Sequence, residues 1–350
     1  MARRLLASLV AALALLAAGC GGDDEPSSAP PTTAASNRDT GDAKIRVGLV
    51  IGSGRSDDSS LDVLAREGLE RAEDELGVDG GVLTSRTSTA YTRNLTTLAK
   101  QDYDLVIAVG RHRSAAVAAV APRFPNASFA IVDAAQADLE GLPGNVRGLL
   151  FSEQEAGYLA GYLAGLVTQQ ESGSQQVIGS VGGRKIPRVD RYIAGFQAGA
   201  KAANPEITTL NAYAQDFVDQ ARCKEIALDQ IARSARVVFQ VAGECGLGAL
   251  AAAGEKNVRG IGVDVDQRYL GGHMLTSAVK KADVVVFQTI LELQNGSFQG
   301  GEDIVFDIAS GGVGLGEVAA DVPAELVSQV NKIQDEIAAG EIVGIPRTVG

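Results

Sequence analysis

Four aspartates, at two places in the chain, are the side chains best suited to contact a polar small molecule. Asp57 and Asp58 follow an apolar stretch, and Asp264 and Asp266 end another. Ionised carboxylates accept hydrogen bonds from hydroxyl groups, and carboxylates with separated pKa values also serve as the acid and base of hydrolases. The chain holds no G-x-S-x-G motif, and its two histidines lack the spacing of metal ligands. These features favour ligand binding over catalysis, and we expect neither a metal nor another cofactor.

A cationic tripeptide offers a different chemistry. Arg111, His112 and Arg113 follow an apolar stretch that ends at Gly110, and they precede a predicted helix. A helix N-terminus with two guanidinium groups suits an anion such as a carboxylate or a phosphate. The alternative is a solvated basic turn.

The first 44 residues have the pattern of an export signal followed by a spacer. Arg3 and Arg4 precede an apolar run of about 14 residues, shorter than the roughly 20 that span a bilayer. Residues 16–20, Leu-Ala-Ala-Gly-Cys, resemble a bacterial lipobox, which predicts a lipoprotein signal peptide at residues 1–19 and a lipid such as palmitate on Cys20. Residues 20–44 predict a flexible linker. We therefore expect a lipid-anchored, extracytoplasmic protein of the bacterial cell envelope; an ordinary signal peptide with a nearby cysteine is the alternative.

The charge balance argues against one class of partner. The 350 residues include 43 acidic and 31 basic side chains, a net charge of −12. Nucleic-acid binding draws its affinity mainly from neutralised phosphates, so we expect no nucleic-acid partner. The region after residue 44 is long enough for two lobes of ordinary size, and 45% of the residues are hydrophobic.

Short apolar runs alternate with amphipathic stretches beyond residue 44. The predicted strands are residues 45–51, 104–109, 128–133, 146–151, 177–183, 208–212, 237–241, 260–266 and 302–308. The predicted helices are residues 59–76, 114–121, 153–168, 189–203, 219–233, 246–253, 280–293 and 322–339. This alternation predicts an α/β fold with parallel sheets between helices. The pattern restarts after residue 151, so we expect two lobes whose strand ends face each other across a cleft.

Two cysteines remain after Cys20. Cys223 lies near the start of a predicted helix, and Cys245 follows the next predicted strand. A helix start and the end of a neighbouring strand lie at the same edge of an α/β sheet. In an oxidising compartment, this placement predicts a disulfide between Cys223 and Cys245.

Five stretches of the chain resemble the basic membrane protein family, the substrate-binding lipoproteins of ABC importers that include purine-nucleoside receptors. They are residues 153–165 (EQEAGYLAGYLAG), 181–205, 238–250 (VFQVAGECGLGAL), 260–270 (GIGVDVDQRYL) and 311–316 (GGVGLG). The resemblance runs from about residue 47 to residue 315. It implies a type I periplasmic-binding-protein architecture with two Rossmann-like lobes, no enzymatic activity, a nucleoside or similar ligand, and an ABC permease as partner. We expect a monomer.

The resemblance also implies ligand roles for residues of the second half. Asp264 and Asp266 lie in a segment similar to the family's ribose-contacting one; their alternatives are a solvated strand end and a cap of the next turn. Tyr192 is similar to the family's stacking phenylalanine, with a core-facing aromatic as the alternative. Gly243 ends a strand where backbone and ligand can approach closely. Lys280 occupies a V-K-K stretch that can reach a ligand oxygen, unless it is a surface lysine.

The first half departs from the family pattern. Gly52 stands where the family has a strand-end aspartate, Leu61 replaces its stacking phenylalanine, and Asp62 replaces an asparagine. Asp57 and Asp58 are kept. We expect Leu61 to supply an apolar wall and Asp62 to contact the ligand, although losing one aromatic face weakens the prediction of a purine.

These observations predict an N-terminal lobe from residues 45–150 and about 275–310, and a C-terminal lobe from residues 151–274 and about 311–350. The predicted function is that of an ABC-transporter lipoprotein that captures a solute, foremost a nucleoside, by closure of the cleft and delivers it to a permease. A ligand-sensing envelope lipoprotein without a transporter is the main alternative, and an exported nucleoside hydrolase is less favoured.

Overall fold

The computed structural model describes residues 44–52, 59–171 and 176–350. Several predicted features lie outside these residues, namely the signal peptide, Cys20, nearly all of the linker, Asp57 and Asp58.

The strands are β1 (Arg46–Gly52), β2 (Asp79–Ser85), β3 (Leu105–Val109), β4 (Ser128–Val132), β5 (Val146–Phe151), β6 (Val177–Gly182), β7 (Thr208–Tyr213), β8 (Ala235–Val241), β9 (Arg259–Asp264), β10 (Met274–Lys280), β11 (Glu302–Phe306) and β12 (Val313–Leu315). The helices are α1 (Ser59–Leu76), α2 (Ser88–Lys100), α3 (Ser114–Val120), α4 (Glu153–Glu171), α5 (Pro187–Ala203), α6 (Gln220–Ala232), α7 (Gly243–Glu255), α8 (Ala282–Gln294) and α9 (Ala324–Ala338).

Two six-stranded sheets form the centres of two lobes. The first sheet has the order β11-β5-β4-β3-β1-β2 and is parallel throughout. The second has the order β12-β10-β9-β8-β6-β7, with β12 antiparallel. Central strands such as β3 are buried along their whole length, as expected for parallel strands covered by helices on both faces. This arrangement confirms the predicted α/β fold with two Rossmann-like lobes.

The chain passes between the two sheets three times within the described residues: from β5 into α4, from β10 into α8, and from β11 to β12. Helix α8 packs on α1 of the first lobe, whereas β10 lies in the second sheet beside β9. The predicted boundary at about residue 275 is therefore wrong, because the chain crosses back only after Lys280. The predicted helix 280–293 begins later, at Ala282, since Lys280 ends a strand.

Four elements were not predicted from the sequence, namely β2, α2, β10 and β12. Strand β10 is the most consequential of them. All seven of its residues are buried, including Thr276 and Ser277, whose polarity hides the apolar run expected of a central strand. Their burial follows from the strands on both sides, β9 and β12, and from the covering helix α4, and not from local periodicity.

Helices α4 and α5 approach each other closely at glycines. A Cβ atom on Gly161 would lie 1.9 Å from the backbone oxygen of Phe196, and one on Gly195 would lie 2.0 Å from that of Gln154. Larger residues would separate the helices. This contact places the start of α4, at Glu153, beside the face of α5 that carries Tyr192.

Among the described residues, no helix combines the length and the apolar composition that crossing a bilayer requires.

Candidate functional site

A cavity lies between the carboxyl ends of the two sheets, where the fold predicts a ligand site. The first lobe contributes Leu61 and Asp133, and the second lobe contributes the remaining lining residues. Those are Arg188, Val189, Tyr192, Phe217, Val241, Gly243, Val263, Asp264 and Lys280. The lining thus combines apolar and aromatic walls with four charged side chains, the composition of a site for a small polar molecule with an apolar face.

Lys280, the last residue of β10, is the cation at the centre of this site. Its side chain is 2% exposed, and its Nζ atom lies 2.7 Å from Asp133 Oδ1, 3.4 Å from Glu153 Oε1 and 3.6 Å from Asp264 Oδ1. Burial alone lowers the pKa of this lysine, but the three carboxylates outweigh burial and raise the pKa above its usual value. Lys280 is therefore a buried ammonium, and the surface-lysine interpretation is wrong.

Asp133 joins the two lobes. It follows β4 of the first lobe in the left-handed backbone region, with φ of 59°, and its carboxylate contacts Lys280 and, at 3.2 Å, Arg188 Nη1. Burial raises the pKa of Asp133, but the ammonium of Lys280 and the guanidinium of Arg188 outweigh this effect and hold the pKa below its ordinary value. The carboxylate is therefore charged and spans the cleft.

Glu153 is the second buried carboxylate. It begins α4 directly after the first crossing between lobes, and its Oε2 atom accepts a hydrogen bond from Arg191 Nη1 at 3.1 Å. Burial raises the pKa of Glu153 despite the nearby Lys280 and Arg191. Lys280, Asp133, Glu153 and Asp264 form a charged cluster. Two of the three crossings between the lobes carry one of its residues, Glu153 on one and Lys280 on the other.

Asp264 faces the cavity from the second lobe. Its φ of 65° is left-handed, a conformation that non-glycine residues adopt at a cost and that often marks a functional site. The side chain is 35% exposed, the largest exposure within the charged cluster. Its Oδ1 atom accepts a hydrogen bond from the Tyr192 hydroxyl at 3.2 Å, which leaves Oδ2 for a ligand.

Tyr192 belongs to the core as well as to the site. Its side chain is 2% exposed, and its ring packs edge-on against Phe239 with centroids 6.2 Å apart. Burial, followed by the charge of Asp264, raises the pKa of the hydroxyl well above its ordinary value. The core-facing alternative therefore describes the ring, while the hydroxyl orients Asp264.

Phe217 supplies the cavity with a second aromatic side chain besides Tyr192, and the sequence did not predict it. It lies a few residues after β7, is half-buried, and lines the cavity with the guanidinium of Arg188 5.9 Å from its ring centroid. A Cβ atom on Gly183 would lie 2.4 Å from the Phe217 ring, so that glycine makes room for it. Its place after a strand end is the signal that could have identified it.

Leu61 and Asp62, adjacent in α1, have different surroundings. Leu61 lines the cavity as an apolar wall. Asp62 is buried, accepts a hydrogen bond from the Gly52 backbone at 3.0 Å, and lies 3.4 Å from Arg113 Nη2. A Cβ atom on Gly52 would lie 2.6 Å from that nitrogen, so glycine leaves room for the ion pair. The structure thus places Asp62 in the interior of the first lobe and not on the cavity.

The cationic tripeptide does not act as one unit. Arg111 is exposed on a second depression between the lobes, His112 is exposed beside α2, and Arg113 is buried with Asp62. Arg113 also donates a 2.7 Å hydrogen bond to the Tyr91 hydroxyl. The prediction of a shared anion site is therefore wrong, because the three side chains point to three different surroundings.

Two other predicted residues lie at strand ends of the second lobe. Gly243 lines the cavity at the start of α7 with φ of 57°. Asp266 is not part of the lining. Its carboxylate accepts hydrogen bonds from the backbone of Arg268 at 3.0 Å and of Glu317 at 2.8 Å, so its role in the structure is to cap the turn.

The structure joins Cys223 and Cys245 through a disulfide, with Cα atoms 5.5 Å apart. Both residues lie in the first turns of their helices, α6 and α7. Across the described part of the chain, no three histidine, cysteine, aspartate or glutamate side chains are arranged to hold a metal ion.

Comparison with known proteins agrees with this geometry. Residues 44–346 match the family described as "ABC transporter substrate-binding protein PnrA-like". The chain belongs to this family. The match confirms the resemblance inferred from the sequence motifs.

Several family relatives cover most of the chain. The ABC transporter nucleoside-binding protein BmpA of Lactococcus lactis is 30% identical, over 85% of this chain and 87% of its own length. The CD4+ T-cell-stimulating antigen of Listeria innocua is 32% identical, over 88% of this chain and 90% of its own length. The solved ABC transporter solute-binding protein of Conexibacter woesei is 26% identical, with a TM-score of 0.69 over 87% of this chain and 99% of its own length.

Proposed function

We propose that this protein is the solute receptor of an ABC importer and that it captures a nucleoside in the cleft between its lobes. The observation that carries the proposal is that Asp264 and Phe217 line the same cavity. A nucleoside has a flat base that stacks on an aromatic ring and a ribose whose hydroxyls need acceptors. The nucleoside-binding relative from Lactococcus lactis supports this ligand class.

Each cavity residue has a distinct part in this proposal. Asp264 accepts hydrogen bonds from the ribose hydroxyls through its free oxygen, and Lys280 donates to a ribose or base oxygen. Phe217 stacks on one face of the base, and Leu61 covers the other face as an apolar wall. Asp133 closes the site by joining Lys280 and Arg188, which belong to the opposite lobe. Closure then buries the ligand between two rigid sheets.

We further propose that a lipid on Cys20 holds the protein at the outer side of the membrane, where a single chain delivers its ligand to the permease. The lipobox-like residues 16–20 and the spacer-like composition of residues 20–44 support this anchor. The proposed role is binding without turnover, since the charged residues of the cavity are held in ion pairs instead of presenting a nucleophile.

A thermal-shift screen of the purified protein tests the proposal. The panel contains purine and pyrimidine nucleosides, free bases, sugars, amino acids and anionic metabolites. A ligand at 100 times its dissociation constant stabilises the folded state by about 2.7 kcal/mol, enough to move the melting temperature by a few degrees. We expect a shift with nucleosides and none with the free sugars.

Two controls make the result specific. Asp264→Asn, which removes charge from an acceptor, should abolish the nucleoside shift, whereas Asp266→Asn should preserve it because Asp266 is absent from the cavity lining. Chromatography of the incubated mixtures measures release of free base. A shift with anions alone would contradict the nucleoside, and released base would contradict the absence of turnover.

A further inference from the structure

The disulfide lies directly behind the ligand cavity. Cys223 and Cys245 are both fully buried, and they join the first turn of α6 to the first turn of α7. The backbone N–H of Cys245 donates a 3.0 Å hydrogen bond to the carbonyl oxygen of Phe217. Two residues before Cys245 in the chain lies Gly243, which lines the cavity. The disulfide and this hydrogen bond therefore tie together two loops that both supply the cavity wall.

The loop that carries Phe217 is tightly hydrogen-bonded at its other end. The Asp216 carboxylate accepts from the backbone of Val218 at 2.6 Å and of Asp219 at 2.7 Å. Asp219 in turn caps α6 by accepting from the backbone of Ala221 at 3.1 Å. These hydrogen bonds connect Phe217 to the N-terminus of α6 through a short turn.

Helices α6 and α7 pack closely at their starts, where a Cβ atom on Gly248 would lie 1.8 Å from the backbone oxygen of Gln220. The cluster behind them contains mainly small side chains, including Ala214, Ala227, Ala242 and Ala249. Small side chains bury little apolar area, and the stabilisation from burial scales with that area. The first residues of α6, Gln220 to Arg222, are exposed. Without the disulfide, this end of α6 would depend on backbone hydrogen bonds and on its close packing against α7.

We propose that the Cys223–Cys245 disulfide is a positioning element of the ligand site, which holds the Phe217 wall against the Gly243 loop so that the site is formed before the ligand arrives. The inference rests on the proposed ligand function of the cavity. Ordering a loop when the ligand binds costs free energy and weakens binding. A site whose loops are already ordered avoids this cost and binds more tightly. Opening the disulfide should therefore weaken ligand binding more than the loss of global stability explains.

The experiment compares the oxidised protein with the Cys223→Ser/Cys245→Ser double variant and with protein reduced by dithiothreitol. In the reduction, the S–S bond gains two electrons and two protons to give two thiols, and dithiothreitol is oxidised to its cyclic disulfide. Calorimetry with inosine measures the dissociation constant, and hydrogen–deuterium exchange measures the opening of residues 214–219 and 242–246. We expect about a tenfold rise in the dissociation constant and faster exchange confined to these two segments.

A destabilised control separates positioning from global stability. Val330 is buried in α9, which contributes nothing to the cavity lining, and Val330→Ala should lower the melting temperature while leaving the inosine affinity unchanged. Equal affinity and equal local exchange in oxidised and reduced protein would overturn the inference. If the oxidised protein binds neither inosine nor any other nucleoside of the panel, the nucleoside proposal fails instead, and the exchange of the two segments still decides whether the disulfide positions the wall.

Discussion

The Nζ atom of Lys280 lies 2.7 Å from Oδ1 of Asp133, although the two residues belong to different lobes. Lys280 ends a strand of the second sheet at a crossing between lobes, and Asp133 follows a strand of the first sheet. Arg188 of the second lobe contacts the other oxygen of the same carboxylate. A single aspartate of the first lobe thus engages two cations of the second, so that the charged cluster both lines the cavity and links the lobes.

Replacing Lys280 tests the energetic weight of this cluster. Lys280→Met leaves Asp133, Glu153 and Asp264 without their shared cation, and removing one partner of a buried ion pair costs about 3–5 kcal/mol. Urea unfolding measures this loss. Lys281→Met is the matched control, because Lys281 is only half-buried and a substitution there should change the free energy of unfolding by about 0.5 kcal/mol or less. Equal effects of both variants would contradict the central role of Lys280.

The pH dependence of stability tests the charge of Asp133. Because its pKa in the folded protein lies below the ordinary value of 3.8, the charged form stabilises the fold above that value, and this stability is lost as the pH falls further. The raised pKa of Glu153 acts in the opposite sense, with stability present below its ordinary value of 4.5 and lost as the pH rises.

Unfolding of the wild-type protein and of Asp133→Asn should therefore be followed from about pH 7 to pH 3. The variant should be less stable at neutral pH, because Lys280 and Arg188 lose their shared carboxylate. It should also lose less stability on acidification than the wild-type protein. Parallel curves for the two proteins would contradict a lowered pKa of Asp133 in the folded state.

Because the backbone at Asp264 is strained, a substitution that relieves the strain should keep the protein stable and yet remove ligand binding. Glycine adopts a φ of 65° without steric cost, so Asp264→Gly should preserve or slightly raise the melting temperature while abolishing ligand binding. Asp264→Ala should lower both quantities, because alanine keeps the strain and removes the carboxylate. Thermal melts with and without the best nucleoside of the screen measure both effects. Retained binding in Asp264→Gly would remove this residue from the site.

Phe217 should contribute to binding through its aromatic face. Phe217→Leu keeps an apolar side chain but loses the ring, and base stacking on an aromatic residue is worth about 1–3 kcal/mol per base. The dissociation constant for a nucleoside should therefore rise by about tenfold or more, with little change in melting temperature. Val218→Ala, at the adjacent residue with 64% exposure, should bind as the wild-type protein does. Titration calorimetry distinguishes the two variants.

The glycine contact between α4 and α5 should be intolerant of a methyl group. Gly161→Ala brings a Cβ atom against the backbone oxygen of Phe196, and overpacking of this kind costs about 1–3 kcal/mol. Gly272→Ala is the control, because no atom lies within 4 Å of the added Cβ there. Denaturant unfolding of both variants measures the difference, and equal stabilities would show that the helices can separate at no cost.

Most of the secondary structure could be predicted from the sequence, by its apolar periodicity and its turn residues. The predicted bounds of α1 and β5 agree with the structure at every residue, because their apolar spacing and flanking residues are local signals. Strand β10 was missed, because its central polar residues are buried by the neighbouring strands and by helix α4, which is distant in the chain. The family motifs, in turn, identified the family and its ligand-binding fold.

Only the tertiary structure decided which side chains meet. Asp133, Glu153 and Arg188 gave no separate signal in the sequence, yet they surround Lys280 because two sheets and three crossings bring distant strand ends together. The same packing turned Asp62 and Arg113 toward each other and away from the cavity. Local patterns depend on neighbours in the chain, whereas a binding site depends on contacts between residues far apart in it. For that reason the two lobes and the cleft could be predicted from the sequence, whereas the residues that line the cleft became known only from the tertiary structure.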